Sequence, residues 1–426
     1  MVKKAASRLP MNPGTPITYK RAHTPTAIRL LNAVARPIGR FSSQILALES
    51  SNLLARACAK TRLADWGHPS ALQALEVLLA SVRREGRLTV FGRFAFRQYL
   101  IGKLCSRLRI IEALKCYPAI ARQDIRRPVF ITGWYRTGTT YLHNLLAGHP
   151  QSRAPLYWEL MHPCPAADPD SVNSRKLIRQ TVLASRIHRY LAPQFNRVHP
   201  MAAEKPEECL HLFENAAMGT MAFFITEAKS IAWWLLENDL GQGYRFYKKQ
   251  IQLLNWLRPG RRWVLKWPYH VWHLDALLAA FPDATVVWLH RNPQAALASV
   301  CSLSVLARAP FCEDIDSTAL GRFWTDYNEA GLRRAMAARA KAGPNQIVDV
   351  AYADLVANPT AVIRRIIAAA GLEPDGDWLK TLPHEAGKQP QNKRGRHRYN
   401  LEQFGLRPED VRRRFGDYIK TYDIGP

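Results

Sequence analysis

Short apolar runs alternate with longer helical patterns over most of the 426-residue chain. Four of the apolar runs predict buried strands, at residues 129–131, 263–265, 285–289 and 347–350. Helical spacing of apolar residues predicts helices at 174–191, from Glu207 onward, at 273–281, at 322–342 and near 408–422. Strands separated by helices pair in parallel, so the pattern predicts an α/β fold: a P-loop-like parallel sheet flanked by helices on both faces.

The N-terminal part of the chain follows a different pattern. Leucines at helical spacing in 72–82 and 100–111 predict helices without strands, so we expect residues 27–121 to form a helical N-terminal extension packed on the core. The α/β domain is then expected at 122–426. Residues 1–26 are basic and interrupted by prolines, which predicts a flexible basic arm. The amphipathic segment at 27–38 also suggests peripheral contact with a membrane.

A glycine-bounded turn follows the first predicted strand and leads into a helix, running from Gly133 to Gly138. A helix N-terminus presents unpaired backbone N–H groups, so this arrangement predicts a phosphate site. The glycine spacing matches a nucleotide-triphosphate loop, but the lysine that reaches the outer phosphates is missing, and Arg136 stands inside the turn instead. The expected ligand is a nucleotide without a magnesium-bound triphosphate. The alternative is an ordinary strand that leads into a helix.

Two further predicted strands end in cationic residues. Lys266 follows the strand at 263–265, and His290 and Arg291 follow the strand at 285–289. Any one of these residues could be an ordinary surface charge. In a parallel sheet, however, ligands bind beyond the carboxyl ends of the strands, which places both segments beside the turn at 133–138. Their coincidence at one edge predicts a shared site for a polyanion.

These motifs resemble those of the sulfotransferases that use 3′-phosphoadenosine 5′-phosphosulfate, in particular their bacterial branch. Residues 136–140, Arg-Thr-Gly-Thr-Thr, are similar to the family segment that binds the 5′-phosphosulfate, with arginine where many relatives have lysine. Arg291 and Ser299 stand eight residues apart, like the family pair that grips the 3′-phosphate. The resemblance runs from about residue 61 to the C-terminus and leaves the arm outside.

Three further segments carry the resemblance. They are Leu-Lys-Trp-Pro-Tyr-His at 265–270, with tryptophan where relatives often have serine, Tyr-Ala-Asp-Leu at 352–355, and a basic closing segment at 395–406. The resemblance implies that 122–426 is a sulfotransferase domain and that its donor co-substrate is 3′-phosphoadenosine 5′-phosphosulfate. The residues that it implies for donor binding are Arg136, Thr137, Gly138, Thr139, Thr140, Arg291, Ser299, Tyr352, Arg394 and Arg396.

Sulfuryl transfer also needs a base that takes the proton of the acceptor hydroxyl. The resemblance directs attention to His199 followed by Pro206, Glu207 and Glu208, and a carboxylate of this segment is the preferred base. The alternative is that the acidic residues stabilise a helix that begins at Pro206. Other expected catalytic residues are Lys266, which could neutralise the transferring group, and Arg136. No metal is expected, because a sulfuryl group carries less charge than a terminal phosphate.

Charge and cysteine content indicate which partners and which cellular compartment to expect. The formal net charge of +26 favours anionic partners, but the arginines are dispersed along the chain rather than concentrated in one stripe, so no nucleic-acid partner is expected. The seven cysteines form no Cys-x-x-Cys pair, which indicates a reducing compartment. With no apolar run of about 18 residues and no signal-peptide pattern, we expect a cytoplasmic protein, at the inner face of the membrane if it binds lipid.

The middle of the chain is rich in aromatic residues. Core packing explains most of them, and the remainder would suit a hydrophobic acceptor such as a hydroxylated lipid. They are Phe213, Phe223, Phe224, Trp233, Trp234, Tyr244 and Tyr247.

Two other functions remain open on the sequence alone. A P-loop kinase of a small molecule would need magnesium and an acidic residue at a strand end, where this chain has His290 and Arg291. A non-catalytic basic protein that binds membranes or nucleic acid would show affinity that falls steeply with salt and no nucleotide site.

Overall fold

The structure, a computed structural model, describes residues 24–38, 46–164, 172–387 and 400–425. Its five-stranded sheet has the order β2-β3-β1-β4-β5, and all neighbouring strands are parallel. The strands are β1 (Val129–Gly133), β2 (Ser152–Arg153), β3 (Arg262–Lys266), β4 (Thr285–His290) and β5 (Ile347–Ala351). The predicted parallel α/β architecture is confirmed. The sequence pattern missed β2, because two residues are too few to form an apolar run.

Helices occupy the intervals between the strands. Before β1 they are α1 (Thr26–Ile38), α2 (Ser50–Thr61), α3 (Ser70–Glu85) and α4 (Val90–Cys116). Between β1 and β3 they are α5 (Thr139–Leu146), α6 (Tyr157–Met161), α7 (Val172–Leu191), α8 (Pro193–Val198), α9 (Leu210–Phe213), α10 (Met221–Ile225), α11 (Lys229–Glu237) and α12 (Gly241–Leu257). After β3 they are α13 (Leu274–Ala280), α14 (Pro293–Arg308), α15 (Ser317–Arg339), α16 (Tyr352–Ala357), α17 (Pro359–Ala370), α18 (Gly376–Gly387), α19 (Pro408–Arg414) and α20 (Gly416–Thr421). Short 3₁₀ helices lie at Pro118–Ile120, Glu214–Ala216, Pro268–His273 and Glu402–Phe404.

Apolar layers cover both faces of the sheet, as expected. Side chains alternate along a strand, so neighbouring residues of β1 enter different layers. Phe130 packs in a large cluster with residues of the N-terminal helices and of α12, α14 and α15. Val129 and Ile131 pack in a second cluster with α5, α17 and α18. Because all five residues of β1 are buried, the turn that follows is held at the end of a rigid strand.

The N-terminal helices belong to the larger of these two clusters. Leu79 of α3 and Leu108 of α4 are buried in the same cluster as Phe130 of β1. The helical extension is thus present and packed against the sheet layer, while its predicted boundary at residue 121 stays a prediction. Residues 1–23 of the predicted arm lie outside the described residues, and α1 already begins at Thr26.

The helix predicted from Glu207 onward begins three residues later than expected. Pro206 forms an isolated antiparallel bridge with Leu156, and the N–H of Glu207 donates to the carbonyl of Pro155 at 3.1 Å. The following helix, α9, begins only at Leu210. A tertiary contact with a distant loop therefore outweighs the local helical pattern. The predicted last helix is likewise divided into α19 and α20. In the segments that the structure describes, no helix is both long and apolar enough to cross a membrane.

Candidate functional site

The turn after β1 is built on two glycines with positive φ angles. Gly133 has a φ of +137°, and a Cβ atom there would lie 2.4 Å from the carbonyl oxygen of Leu289 in β4, so only glycine fits. Gly138 has a φ of +88° and is the N-cap of α5. Between them, Arg136 has a φ of +66°, in the left-handed region that a side chain disfavours. The turn thus leads the chain from a buried strand directly into a helix N-terminus.

The threonines of the turn have different environments. The Thr137 hydroxyl is buried and donates to the carbonyl of Trp134 at 2.7 Å, which closes the turn. Thr139 is buried as well, whereas Thr140 is exposed in the first turn of α5. An anion at this helix start would therefore meet backbone N–H groups and the hydroxyl of Thr140, while the proton of the Thr137 hydroxyl is engaged within the turn.

Arg291 joins the end of β4 to the turn. Its Nη1 donates to the carbonyl of Arg136 at 2.6 Å, and its guanidinium lies 4.4 Å from the centre of the Tyr352 ring. The Tyr352 ring also packs closely on Gly138, since a Cβ atom added to this glycine would lie 3.2 Å from the ring. Three segments that the sequence analysis assigned to the donor site are therefore in contact. Ser299, which the resemblance pairs with Arg291, is buried in α14. This helix begins two residues after Arg291.

Lys266 connects this turn with the acidic segment. It ends β3, where it is the register partner of Ile131 in β1, and its side chain is fully buried. Its Nζ donates to Glu208 Oε1 at 2.7 Å and to Thr140 Oγ1 at 3.3 Å. The same nitrogen lies 3.8 Å from Glu207 Oε1. One ammonium group thus contacts both the expected donor site and the expected acceptor side.

His199 and Glu207 form a pair beside Lys266. His199 Nε2 lies 3.4 Å from Glu207 Oε1, which also accepts the N–H of Glu208 at 2.8 Å. Burial opposes ionisation of Glu207, but the charge and hydrogen bond of His199 outweigh it and hold the pKa of that carboxyl well below its usual range. Burial also lowers the pKa of His199, yet the negative charge of Glu207 prevails and raises that pKa above its ordinary value.

The spacing of His199, Glu207 and Glu208 would also suit a metal ion, because their ligand atoms all lie within 4.8 Å of one another. The ammonium of Lys266 already contacts Glu208 and lies close to Glu207. A divalent cation at the same carboxylates would be repelled by this buried positive charge. The expectation of a metal-independent site therefore stays a prediction, and the position of Lys266 supports it.

His211 lies beside the acidic pair, and the sequence analysis did not single it out. It is buried near Glu207, and its ring centre lies 5.4 Å from that of Tyr157. Burial, reinforced by the charge of Lys103, lowers the pKa of His211 to about 3. His211 is therefore neutral at physiological pH. Neither His211 nor Tyr157 stands in a recognisable motif, so only the fold brings them to the site. The expected donor residues Arg394 and Arg396 lie outside the described residues.

Comparison with known proteins agrees with this arrangement. A model of the sulfotransferase family matches residues 128–376, more than half of the chain. The chain belongs to the sulfotransferase family. The matched segment contains all five strands, the turn, Lys266 and Arg291, so the family match covers the site described above. Members of this family are transferase enzymes.

Solved structures and curated relatives extend the comparison. The crystal structure of sulfotransferase STF1 from Mycobacterium tuberculosis H37Rv is 33% identical, covers 87% of this chain and 98% of its own, and has a TM-score of 0.77. That of STF9 from Mycobacterium avium is 26% identical, covers 88% and 97%, and has a TM-score of 0.80. Both confirm the predicted bacterial sulfotransferase family and its α/β fold.

A curated relative carries a substrate in its name: omega-hydroxy-beta-dihydromenaquinone-9 sulfotransferase Stf3 of Mycobacterium bovis and Mycobacterium tuberculosis. It is 24% identical over 266 residues, which is 60% of this chain. The match spans 65% of the relative's own length.

Proposed function

We propose that this protein transfers a sulfuryl group from 3′-phosphoadenosine 5′-phosphosulfate to the hydroxyl of a hydrophobic small molecule or lipid. The observation that carries the proposal is the position of Lys266, which contacts Thr140 of the turn and Glu208 of the acidic segment at once. A group held at the helix start would therefore lie next to a buried cation and near a candidate base. Sulfuryl transfer requires this alignment of donor, cation and base.

The donor site of the proposal consists of the turn and its neighbours. The N–H groups at the start of α5, Arg136 and Thr140 would hold the 5′-phosphosulfate. Arg291 and Ser299 would hold the 3′-phosphate, while Tyr352 keeps the guanidinium of Arg291 in place. The charge that develops on the leaving phosphate would face these fixed donors, which stabilises the transition state relative to water.

The geometry favours His199 as the base over either carboxylate. Glu208 Oε1 is engaged by Lys266, and the low pKa of Glu207 makes that carboxylate a weak base. Glu207 faces Nε2 of His199, which leaves Nδ1 to accept the proton of the acceptor hydroxyl. The new bond joins the acceptor oxygen to sulfur, the bond from sulfur to the phosphate oxygen breaks, and Glu207 stabilises the imidazolium.

A hydrophobic acceptor agrees with the relative's printed substrate, a hydroxylated menaquinone derivative. Among the aromatic residues of the middle segment, Phe213 and Tyr247 are buried and stack on each other, so they serve the core. Phe224, Trp233 and Trp234 are only partly buried and pack against the edge of the same core. A cytoplasmic location with peripheral membrane contact belongs to this proposal, supported by the net charge of +26. No nucleic-acid partner is included.

The test is transfer of radioactive sulfur from labelled 3′-phosphoadenosine 5′-phosphosulfate into a bacterial lipid extract, with chelator present. We expect a labelled product that partitions into organic solvent, and Arg136→Ala should abolish it. The matched control is Arg126→Ala, which removes an arginine whose side chain is 80% exposed and pairs with the exposed Asp124. Absence of labelled product would overturn the proposal. Transfer of radioactive phosphate from labelled ATP, in a parallel assay with magnesium and without chelator, would overturn it in favour of a kinase.

A further inference from the structure

Helix α7 exposes three large apolar side chains to solvent, although Leu177, Ile178 and Val182 of the same helix are half-buried. Leu183, Ile187 and Tyr190 are 58%, 52% and 59% exposed and follow one another at helical spacing. We name these three residues the outer stripe. Among the α7 side chains that the structure describes, those classed as buried carry hydroxyls: Ser174, Thr181 and Ser185. A surface helix normally buries its apolar stripe and exposes its polar residues.

Two of the buried hydroxyls, those of Thr181 and Ser185, form hydrogen bonds within the helix itself. Thr181 donates to the carbonyl of Leu177 at 2.9 Å, and Ser185 donates to the carbonyl of Thr181 at 2.8 Å. Small side chains with internal hydrogen bonds can be buried at low cost and allow α7 to pack closely on α6 and α8. The inward face is therefore complete, and the outer stripe contributes nothing to this packing.

The charge of α7 indicates what covers the outer stripe. The helix contains no acidic residue, and all of its arginines and its lysine are exposed: Arg175, Lys176, Arg179, Arg186 and Arg189. An apolar stripe flanked only by cations is typical of helices that lie on anionic membranes. A second copy of this chain, placed face to face, would oppose cations to cations, which is unfavourable. Helix α1 also exposes Leu30, Leu31 and Val34, but its sequence contains only two arginines.

We propose that α7 is the membrane-docking helix of this protein, with the outer stripe inserted into the surface of an anionic lipid bilayer. The position of α7 in the fold gives this surface a role in the reaction, a part of the inference that rests on the proposed function. Helix α8 follows α7 after one residue and ends next to His199. Rings connect the two helices to the candidate base: His188 to Phe195 at 5.4 Å and Phe195 to His199 at 5.9 Å. A lipid acceptor would thus enter from the membrane beside the base.

The test is binding of the full-length chain to vesicles of equal parts phosphatidylcholine and phosphatidylglycerol, compared with phosphatidylcholine alone, by co-sedimentation. The wild-type chain should bind the anionic vesicles and bind the neutral ones far more weakly. The double variant Leu183→Gln, Ile187→Gln should lose about tenfold or more in affinity for anionic vesicles, because two side chains no longer enter the apolar layer. Glutamine keeps the helical propensity of the exposed positions.

Two matched variants localise the effect. Val356→Gln removes an exposed apolar residue of α16 and should leave vesicle binding unchanged. Leu30→Gln with Leu31→Gln makes the equivalent change on α1. The assignment to α7 is wrong if the α1 double variant abolishes vesicle binding while the α7 double variant has no effect. It is also wrong if the wild-type chain does not bind anionic vesicles. Calorimetry of adenosine 3′,5′-bisphosphate is run on the same variants. Unchanged nucleotide affinity shows that the fold and donor site are intact, so a failure of docking is distinguished from a failure of the sulfotransferase proposal.

Discussion

Replacement of Arg291 by alanine tests the proposed 3′-phosphate contact directly. The change removes a guanidinium that stacks 4.4 Å from the centre of the Tyr352 ring and donates to the carbonyl of Arg136 at 2.6 Å. Arginine has five N–H donors in a planar fork, so one such bond leaves other donors for a ligand. Adenosine 3′,5′-bisphosphate should therefore lose a charge-assisted contact that AMP, without a 3′-phosphate, does not make.

The size of the loss follows from the value of such a contact. A hydrogen bond to a charged group contributes about 1.5–3 kcal/mol, so Arg291→Ala should weaken binding of the bisphosphate roughly 10- to 150-fold. Calorimetry should find a much smaller loss for AMP. The affinity of Arg291→Lys for the bisphosphate should lie between those of the wild-type chain and of Arg291→Ala, since lysine keeps the charge but not the planar fork. Arg126→Ala serves as the control for the loss of one positive charge at the surface.

The comparison of the two nucleotides decides between two roles of Arg291. If the residue only supports the turn through the Arg136 carbonyl, the two affinities should fall by the same factor. An equal loss, or no loss for either nucleotide, would refute the assignment of the 3′-phosphate to Arg291.

Four predictions concern the acidic segment and its partner Lys266. His199→Ala should slow the chemical step about 10²- to 10⁴-fold in single-turnover assays at saturating donor; an unchanged rate would place the base elsewhere. Because the pKa of His199 is raised, transfer should increase with pH through a midpoint above the ordinary value of about 6.5, where the imidazole loses its proton. Glu207→Gln should move that midpoint to lower pH, since it removes the charge that raises this pKa, and a midpoint that stays in place would contradict the pairing. Lys266→Met should destabilise the fold by about 3–5 kcal/mol in denaturant unfolding, because it leaves Glu208 without its buried partner. Adding Glu208→Gln to this variant should restore part of the lost stability. Full stability of Lys266→Met alone would contradict the ion pair.

The parts of the fold that the sequence predicts well are those with a local signal. Parallel strands are buried on both faces, so β1, β3, β4 and β5 read as short apolar runs with helices between them. Strand β2 has two residues and no such signal. The predicted helix start at Glu207 is three residues too early for a different reason. Pro206 pairs with Leu156 from a loop fifty residues earlier in the chain, and no local pattern encodes that bridge.

The same distinction holds for the candidate site. The turn from Gly133 to Gly138 was predictable because its residues are consecutive in the sequence. The contact of Lys266 with Glu208 joins residues 58 positions apart and depends on how β3 packs beside the acidic segment. For this reason the sequence favoured a carboxylate as the base, whereas the geometry favours His199. Helix α7 buries hydroxyls and exposes its outer stripe, so helical periodicity alone could not reveal which side faces the protein.

The positive φ angle of Arg136 has a consequence for how this protein can change over time. A non-glycine residue in the left-handed region raises the energy of the folded chain by about 1–2 kcal/mol. Selection for folding alone would therefore drive position 136 towards glycine, whereas, under the proposed function, selection for sulfuryl transfer would hold the arginine. Libraries of variants that are sorted first for thermal resistance would accumulate stable proteins with an impaired donor site. Engineering of this chain for higher stability should keep Arg136 and introduce stabilising substitutions at other positions.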